Sequence, residues 1–299
     1  MKVRASWIVG AGLATLLWAG AVARAAEQAS ALPFAPGETL TYDVTWTVFP
    51  AGQVTATLAR LEGGSPETYQ VLTTARSQGF VSLLYNVENE FRSLFDRETT
   101  CSKQILKKIN EGRRHRDTRI VFDAARKLAI LDEADPTNPD APPKHAENEI
   151  PSCVTDVITA FYFVRRQPLR VGDQIRLPIN DGAKTYEVSV EVQAREQIQT
   201  PLGTRAAFRV EPKVFGGLYK RKGRMLIWFS DDEQRLPLRI KASTAVGTLT
   251  GTLRSVSSTP PPSAAWPVVA RPGVAPRFKG SCIFRKGVVG TAAGKSGHR

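Results

Sequence analysis

Alternation with a period of two runs through most of this sequence, and it leaves little room for any fold but a β one. Leu40, Tyr42, Val44, Trp46 and Val48 fall on one side of an extended segment, with Thr41, Asp43, Thr45 and Thr47 on the other. Successive side chains of a strand point to opposite faces, so this spacing makes one apolar face and one polar face. Pro50-Ala51-Gly52 reads as a turn, and Val54, Ala56 and Leu58 carry the alternation into a second strand of a hairpin.

The same signal predicts strands over Tyr69–Arg76, Val87–Phe95, Lys103–Asn110, His115–Asp123, Lys127–Leu131, Gln174–Ile179, Thr185–Gln199, Arg205–Pro212 and Met225–Ser230, with one or two closing strands over Leu238–Val256. Gly63-Gly64-Ser65-Pro66, Asp181-Gly182, Pro201-Leu202-Gly203 and Lys220-Arg221-Lys222-Gly223 supply connections, and the four prolines between Asp135 and Lys144 make a loop. Gly79–Tyr85 is apolar and reads as a short helix or a lip. One clear helix is expected over about 152–166: Ser152 is a candidate N-cap, Val154, Val157, Ile158, Phe161 and Tyr162 have helical spacing, and Arg165-Arg166 suit a helix C-terminus. About ten antiparallel strands and one helix predict a mainly β fold, a large curved antiparallel sheet or partly open barrel with the helix covering its concave apolar face.

The first 25 residues read as a secretory leader. Lys2 and Arg4 precede an apolar run from Trp7 to Val22, and Ala23-Arg24-Ala25 has the small-x-small form of a cleavage site. Cleavage after Ala25 would send the chain to the periplasm or otherwise outside the cytoplasm. The alternative is an uncleaved anchor, since the apolar run approaches spanning length. No further stretch of the body is long and apolar enough to cross a bilayer as a helix.

The formal net charge of +13 is mostly a property of the ends. Three basic residues lie in the leader and seven after Val256, where there are no acids, so the body between them is only +3. Nucleic-acid binding needs basic residues gathered on the folded domain, and this distribution argues against it. The expected organisation is a leader over 1–25, one β-rich domain over 26–256, and a basic Pro- and Gly-rich tail over 257–299 without fixed structure.

Cys101 and Cys153 fall in the body and Cys282 in the tail. In an oxidising compartment the body pair reads as a disulfide that would tie the helix start to the sheet, and two free thiols are the alternative. Cys282 is left over.

Few motifs carry chemistry. Gly290-Thr291-Ala292-Ala293-Gly294-Lys295-Ser296 is one residue short of a phosphate loop and has no room for a following helix. His115, His145 and His298 are scattered, and neither zinc spacing nor a nucleophile elbow is present, so no metal, cofactor or catalytic residue is indicated. Asp156 reads as a first-turn carboxylate on the helix dipole rather than a catalytic acid.

The order and spacing of several segments resemble a bacterial envelope family known only as domain of unknown function thirty-one hundred and eight. These segments are Phe34-Ala35-Pro36-Gly37-Glu38 before Leu40-Thr41-Tyr42, the run Asp156–Arg165, Pro168-Leu169-Arg170-Val171-Gly172-Asp173, Thr200-Pro201-Leu202-Gly203-Thr204, and Ile227-Trp228-Phe229-Ser230-Asp231-Asp232 with Arg235-Leu236-Pro237. The resemblance covers roughly residues 33–256. It implies an exported β-rich domain of undefined activity and carries over no catalytic residue. The expected curved sheet with a covering helix also looks like the half-barrels of lipoprotein carriers, an analogy of fold alone.

The function expected from these readings is the non-catalytic holding of an apolar or lipid-like envelope ligand. Trp46, Phe80, Tyr85, Phe91, Phe161, Tyr162 and Trp228 are the candidate lining of a cavity between sheet and helix. Arg114 and Arg116, in the dense run Arg113–Arg119, are candidates for an anionic head group, against the plainer reading of a solvated strand paired with acids such as Glu88, Glu90 or Asp96. The alternatives are an envelope scaffold that meets a protein partner and, behind it, an enzyme of unrecognised type.

Overall fold

The computed structural model describes residues 32–61, 65, 67–215, 223–244 and 247–258. The leader, most of the Gly63–Pro66 turn, Lys220–Lys222, Cys282 and the Gly290–Ser296 segment lie outside the described residues.

Among the described residues, fourteen strands form one antiparallel sheet. The first eight are β1 (Thr39–Trp46), β2 (Phe49–Arg60), β3 (Thr68–Ser77), β4 (Glu88–Asp96), β5 (Ser102–Glu111), β6 (Arg114–Asp123), β7 (Leu128–Ala134) and β8 (Lys144–Glu149). The remaining six are β9 (Gln174–Asn180), β10 (Thr185–Thr200), β11 (Gly203–Phe215), β12 (Arg224–Ser230), β13 (Pro237–Thr244) and β14 (Gly247–Ser257). Two helices interrupt them, α1 (Gly79–Leu84) and α2 (Thr159–Arg165). The spatial order is β8-β7-β6-β5-β4-β3-β2-β1-β14-β13-β12-β11-β10-β9. The first and last strands therefore meet in the middle, with Thr39 opposite Ser257 and Trp46 opposite Leu249.

The first hairpin turns earlier than the sequence pattern suggests. Trp46 pairs with Phe49 across Thr47-Val48, and Thr47 takes the positive φ of 58° that a tight hairpin requires. Pro50 is inside β2, beside a register shift between Val44 and Thr45, where its missing N–H breaks no regular ladder bond. Strand β8 has no counterpart in the alternation, because Lys144–Glu149 is polar and charged and lies exposed at the sheet edge. That composition protects an edge strand from pairing with other chains.

The regular part of α2 is also shorter than the expected 152–166. Cys153 is bonded to Cys101, the Ser102 N–H donates to Val154 O at 2.8 Å, and Thr155 forms a parallel bridge with Ile179. These ties hold residues 153–155 extended, and the helix begins only beyond them. Asp156, not Ser152, caps it: the carboxylate accepts the N–H groups of Ile158 and Thr159 at 2.8 and 3.1 Å. The disulfide closes a separation of 52 residues with a Cα–Cα distance of 5.1 Å.

The sheet curls until its two edges are stitched together. Asn180 donates to Asn148 Oδ1 at 2.7 Å, Asn148 donates to Gly182 O at 2.8 Å, and Thr185 donates to Glu149 O at 3.3 Å. Thr155 lies along β9, donating from N and Oγ1 to Pro178 O, both at 3.0 Å, while its carbonyl accepts the Asn180 N–H at 2.9 Å. The partly open barrel is thus closed by side chains rather than by a ladder. Apolar clusters fill the inner face. Ile105, Ile120, Phe122 and Leu131 pack with Val154 on one side, and Leu177, Val188, Val210 and Phe229 pack with Ala160 and Val164 of α2 on the other.

Gly182 sits at the closure, with φ 104° and the site of a Cβ only 2.5 Å from Leu131 Cδ1 and 2.6 Å from Ile120 Cδ1. Gly182→Ala should lower stability by about 1–3 kcal/mol through backbone strain alone. A urea midpoint equal to that of the parent protein would show that the β9–β10 turn is not seated on the β5–β8 core.

Candidate functional site

Helix α2 crosses the inside of the barrel and is fixed at its two ends by buried polar groups. At the N-terminal end Asp156 is 1% exposed. Besides the two backbone donors, its Oδ2 accepts hydroxyl bonds from Ser93 at 2.6 Å, Ser102 at 2.7 Å and Thr159 at 2.9 Å. Five donors satisfy both oxygens and tie β4, β5 and α2 together. A carboxylate so fully engaged is a structural cap, and nothing reactive is left exposed on it.

At the C-terminal end Arg165 is 2% exposed. Its Nη1 and Nη2 donate to the two carboxylate oxygens of Glu38 at 2.6 and 2.8 Å. Nη2 also donates to Pro33 O at 2.8 Å and Gln234 O at 3.0 Å, and Nε to Gln234 O at 3.2 Å. The guanidinium lies 5.2 Å from the Phe34 ring centroid and 5.4 Å from that of Tyr162. Burial works against its charge, but the hydrogen bonds and charge of Glu38 outweigh burial and hold its pKa above the ordinary arginine value. Burial also pushes the phenols of Tyr42 and Tyr162 upward, so both stay neutral.

Between these anchors α2 packs on the sheet through Ala160, Tyr162 and Val164 and leaves apolar space on either side of Phe161. A chamber of about 190 Å³ lies between α2 and β9–β12, walled by Val164, Leu177, Val190, Val210 and Ile227. A second of about 280 Å³ lies between α2 and the central strands, walled by Tyr42, Val71, Ile158, Ile240 and Gly251. Phe161 lines both and forms the partition between them. A third chamber of about 610 Å³ shares Val44, Val54 and Leu249 with the second and reaches Trp46, Val81, Leu84 and Tyr85. The last three of these are on or beside α1, and Leu84 and Tyr85 are exposed, so the space opens to solvent there. Thr73 lines the second chamber, is 8% exposed, and its hydroxyl has no hydrogen-bond partner among the described residues. A wider cleft of about 960 Å³ lies at the Arg165 end, but its walls mix polar and apolar residues in about equal measure and end at Leu32 and Ser258, where the described chain stops.

The nine residues singled out in the sequence separate into groups. Phe161 and Tyr162 line the inner chambers, and Trp46 and Tyr85 line the outer one. Phe80 is exposed on α1 and Phe91 is half-buried on β4; neither lines these chambers. Trp228 is buried in a different cluster, with Leu40, Leu236 and Leu253, and donates its indole N–H to Glu196. Arg114 pairs with Glu111 at 3.6 Å, and Arg116 pairs with Asp135. The three acids expected opposite this run are engaged elsewhere: Glu88 by Arg76, Glu90 by Arg92 and Asp96 by Lys103. Sequence reasoning missed Thr73 and Lys107. Lys107 looks like any alternating strand residue, yet it is half-buried and its Nζ donates to Asp181 O at 3.2 Å across the closure.

Residues 41–254 match the model of a family described as a protein of unknown function, DUF3108. The chain belongs to the DUF3108 family. Its fold is similar to that of a β-barrel-like protein of domain of unknown function DUF1849 from Brucella abortus, with 9% identity, a TM-score of 0.53, and coverage of 76% of this chain and 99% of that one. A protein with a YmcC-like fold from Bacteroides fragilis aligns over 76% of this chain and 98% of its own, at 12% identity and a TM-score of 0.32. No curated protein matches the sequence. Among the described residues of this DUF3108 chain, no helix is long and apolar enough to cross a membrane, and no three His, Cys, Asp or Glu side chains are grouped to hold a metal ion.

Arg165→Met leaves Glu38 buried without its partner and should cost about 3–5 kcal/mol, while Arg165→Met with Glu38→Met should cost clearly less than the two single changes added together. Additive losses in chemical denaturation would show that the two groups are not coupled. The pH dependence has two arms. Burial acts to raise the Asp96 carboxyl, but bonds from Thr99 and the Lys103 charge outweigh it and hold the pKa low; Arg224 holds Glu211 low. Carboxylates depressed in the folded state stabilise above their unfolded pKa values, about 4 for these two, and that contribution is lost as pH falls through the lower folded values. Burial lowers the Lys107 pKa below 10.5, so the folded state disfavours its charge, and stability rises as pH climbs from the depressed value toward 10.5. Lys107→Met should remove that alkaline rise and leave the acid arm in place. An alkaline rise of full size in the variant would assign it to another group.

Proposed function

We propose that this protein is an exported, non-catalytic holder of one apolar, lipid-like ligand, bound between α2 and the sheet. The observation that carries the reading is the set of adjoining apolar chambers beside α2, which share lining residues. Well-packed interiors leave few voids larger than a water molecule, and unfilled apolar space is costly. Apolar chains entering such a space contribute about 25 cal/mol for each Å² removed from water, before the costs of association. Export is supported by the leader expected over Met1–Ala25 and by the Cys101–Cys153 disulfide, a bond that persists outside reducing compartments. Asp156 and Arg165, the most buried charged groups in this region, are fully engaged in holding the helix, and the reading gives them no chemical step.

Gly251 offers a direct test. It lines the second chamber, and a Cβ placed on it would meet only Tyr42 Cβ, at 4.0 Å. Gly251→Phe should fill the chamber with little strain. The delipidated parent protein should take up a fluorescent long-chain fatty acid, and Gly251→Phe should lower that affinity by about tenfold or more at an unchanged or raised Tm. Absence of uptake by the parent protein would overturn the reading in favour of a scaffold role, and equal uptake by the variant would move the ligand out of this chamber.

A further inference from the structure

The outer chamber opens among a set of apolar side chains that nothing in the fold covers. Helix α1 has the sequence Gly-Phe-Val-Ser-Leu-Leu, and none of its residues is buried. Leu83 is 83% exposed and Phe80 67%, and on the neighbouring β1–β2 turn Val48 is 75% exposed with Phe49 beside it. Four of its six residues are large and apolar, and such residues clustered on an exposed element mark a surface that meets another apolar body. Trp46 and Tyr85 flank these aliphatic tips and also line the chamber mouth. Such rings, with an apolar body and a polar edge, favour the boundary between hydrocarbon and water.

The charges around the tips are consistent with a lipid surface. The β5–β6 turn packs on the lip, with the site of a Cβ on Gly112 3.1 Å from the Tyr85 ring and the Gly112 N–H donating to Asn86 O at 2.8 Å. Arg113 is exposed on that turn, next to Arg114, and Arg76 ends β3 beside α1. The acids at this end, Glu88 and Glu111, are paired with Arg76 and Arg114, which leaves Arg113 as the excess charge. Protruding apolar tips, aromatic residues behind them and a basic margin are the features of a monotopic membrane contact.

We propose that α1 and the β1–β2 turn form a lip that inserts into the headgroup region of an anionic bilayer and seats the mouth of the chamber on the hydrocarbon. The role assigned to the mouth rests on the ligand-holding reading, because an apolar ligand seated this way enters and leaves without crossing water.

The test is flotation of the exported full chain with vesicles of phosphatidylethanolamine and phosphatidylglycerol, with phosphatidylcholine vesicles and high salt as comparisons. The parent protein should float with the anionic vesicles, less so in high salt, and Phe80→Ser combined with Leu83→Ser should weaken that partitioning by about tenfold or more at an unchanged Tm. Both side chains are exposed, so the variant retains the folded core. No flotation of the parent protein, or equal flotation of the variant, overturns the proposal. A parent dimer that becomes monomeric in the variant, with vesicle binding unaltered, overturns it in favour of a second copy of this chain. Gly251→Phe separates the two readings: it should lose fatty-acid uptake and still float. Uptake by the parent protein without flotation removes the lip alone, and flotation without uptake removes the ligand-holding reading alone.

Discussion

The buried pair between Arg165 and Glu38 sets the geometry on which the interior depends. Burying an ion costs several kcal/mol, and only close, multiple hydrogen bonds repay it. Arg165 finds them in one arrangement: both oxygens of Glu38, the carbonyls of Pro33 and Gln234, and the faces of Phe34 and Tyr162. These partners come from segments far apart in the chain, so the pair is available only once β1, α2 and the turn before β13 are in place. Asp156 does the same at the other end of the helix with Ser93 and Ser102. Between these ends Ala160, Tyr162 and Val164 pack on the sheet, and Phe161, against the Phe229 ring, stands between two chambers.

The closure of the barrel obeys a related logic. A sheet of 14 strands has two edges wherever it stops, and unpaired edges invite association. One edge, β8, is charged and exposed, while the other, β9, is covered by Thr155. The disulfide fixes the segment that supplies Thr155, so the same bond that orients the start of α2 also places the residue that pairs with β9. Closing by side chains leaves the barrel wide enough to enclose space, and the α1 end remains open.

Much of this was legible in the sequence because strands with one buried face must alternate. That signal located β1, β3–β7 and β9–β12 closely and left β13 and β14 as one or two strands, and together with two body cysteines in a chain read as exported it indicated a curved sheet bridged to one covering helix. It failed where burial is not the organising force. Strand β8 alternates nothing apolar. Pro50 reads as a turn, although a register shift lets it sit in a strand. Ser152 has the right chemistry for a cap, but the disulfide and the Thr155 bridge keep its neighbours extended and pass the role to Asp156. Arg165 reads as a residue complementing the helix dipole, since its partner Glu38 is 127 residues away in sequence. Trp228 has the composition of a cavity aromatic, but its indole N–H required a partner and found Glu196 in another cluster. Thr73 carries no sequence signal at all, because a threonine on a strand is ordinary until its surroundings turn out to be apolar and empty of partners.

The most direct test of the account is native mass spectrometry of the protein purified gently from its own host, followed by solvent extraction of whatever it carries. A helix anchored at its ends beside adjoining apolar chambers predicts one lipid-sized mass per chain that is released by solvent and identified in the extract. A protein recovered at its bare chain mass, from lysate rich in such molecules, would contradict it.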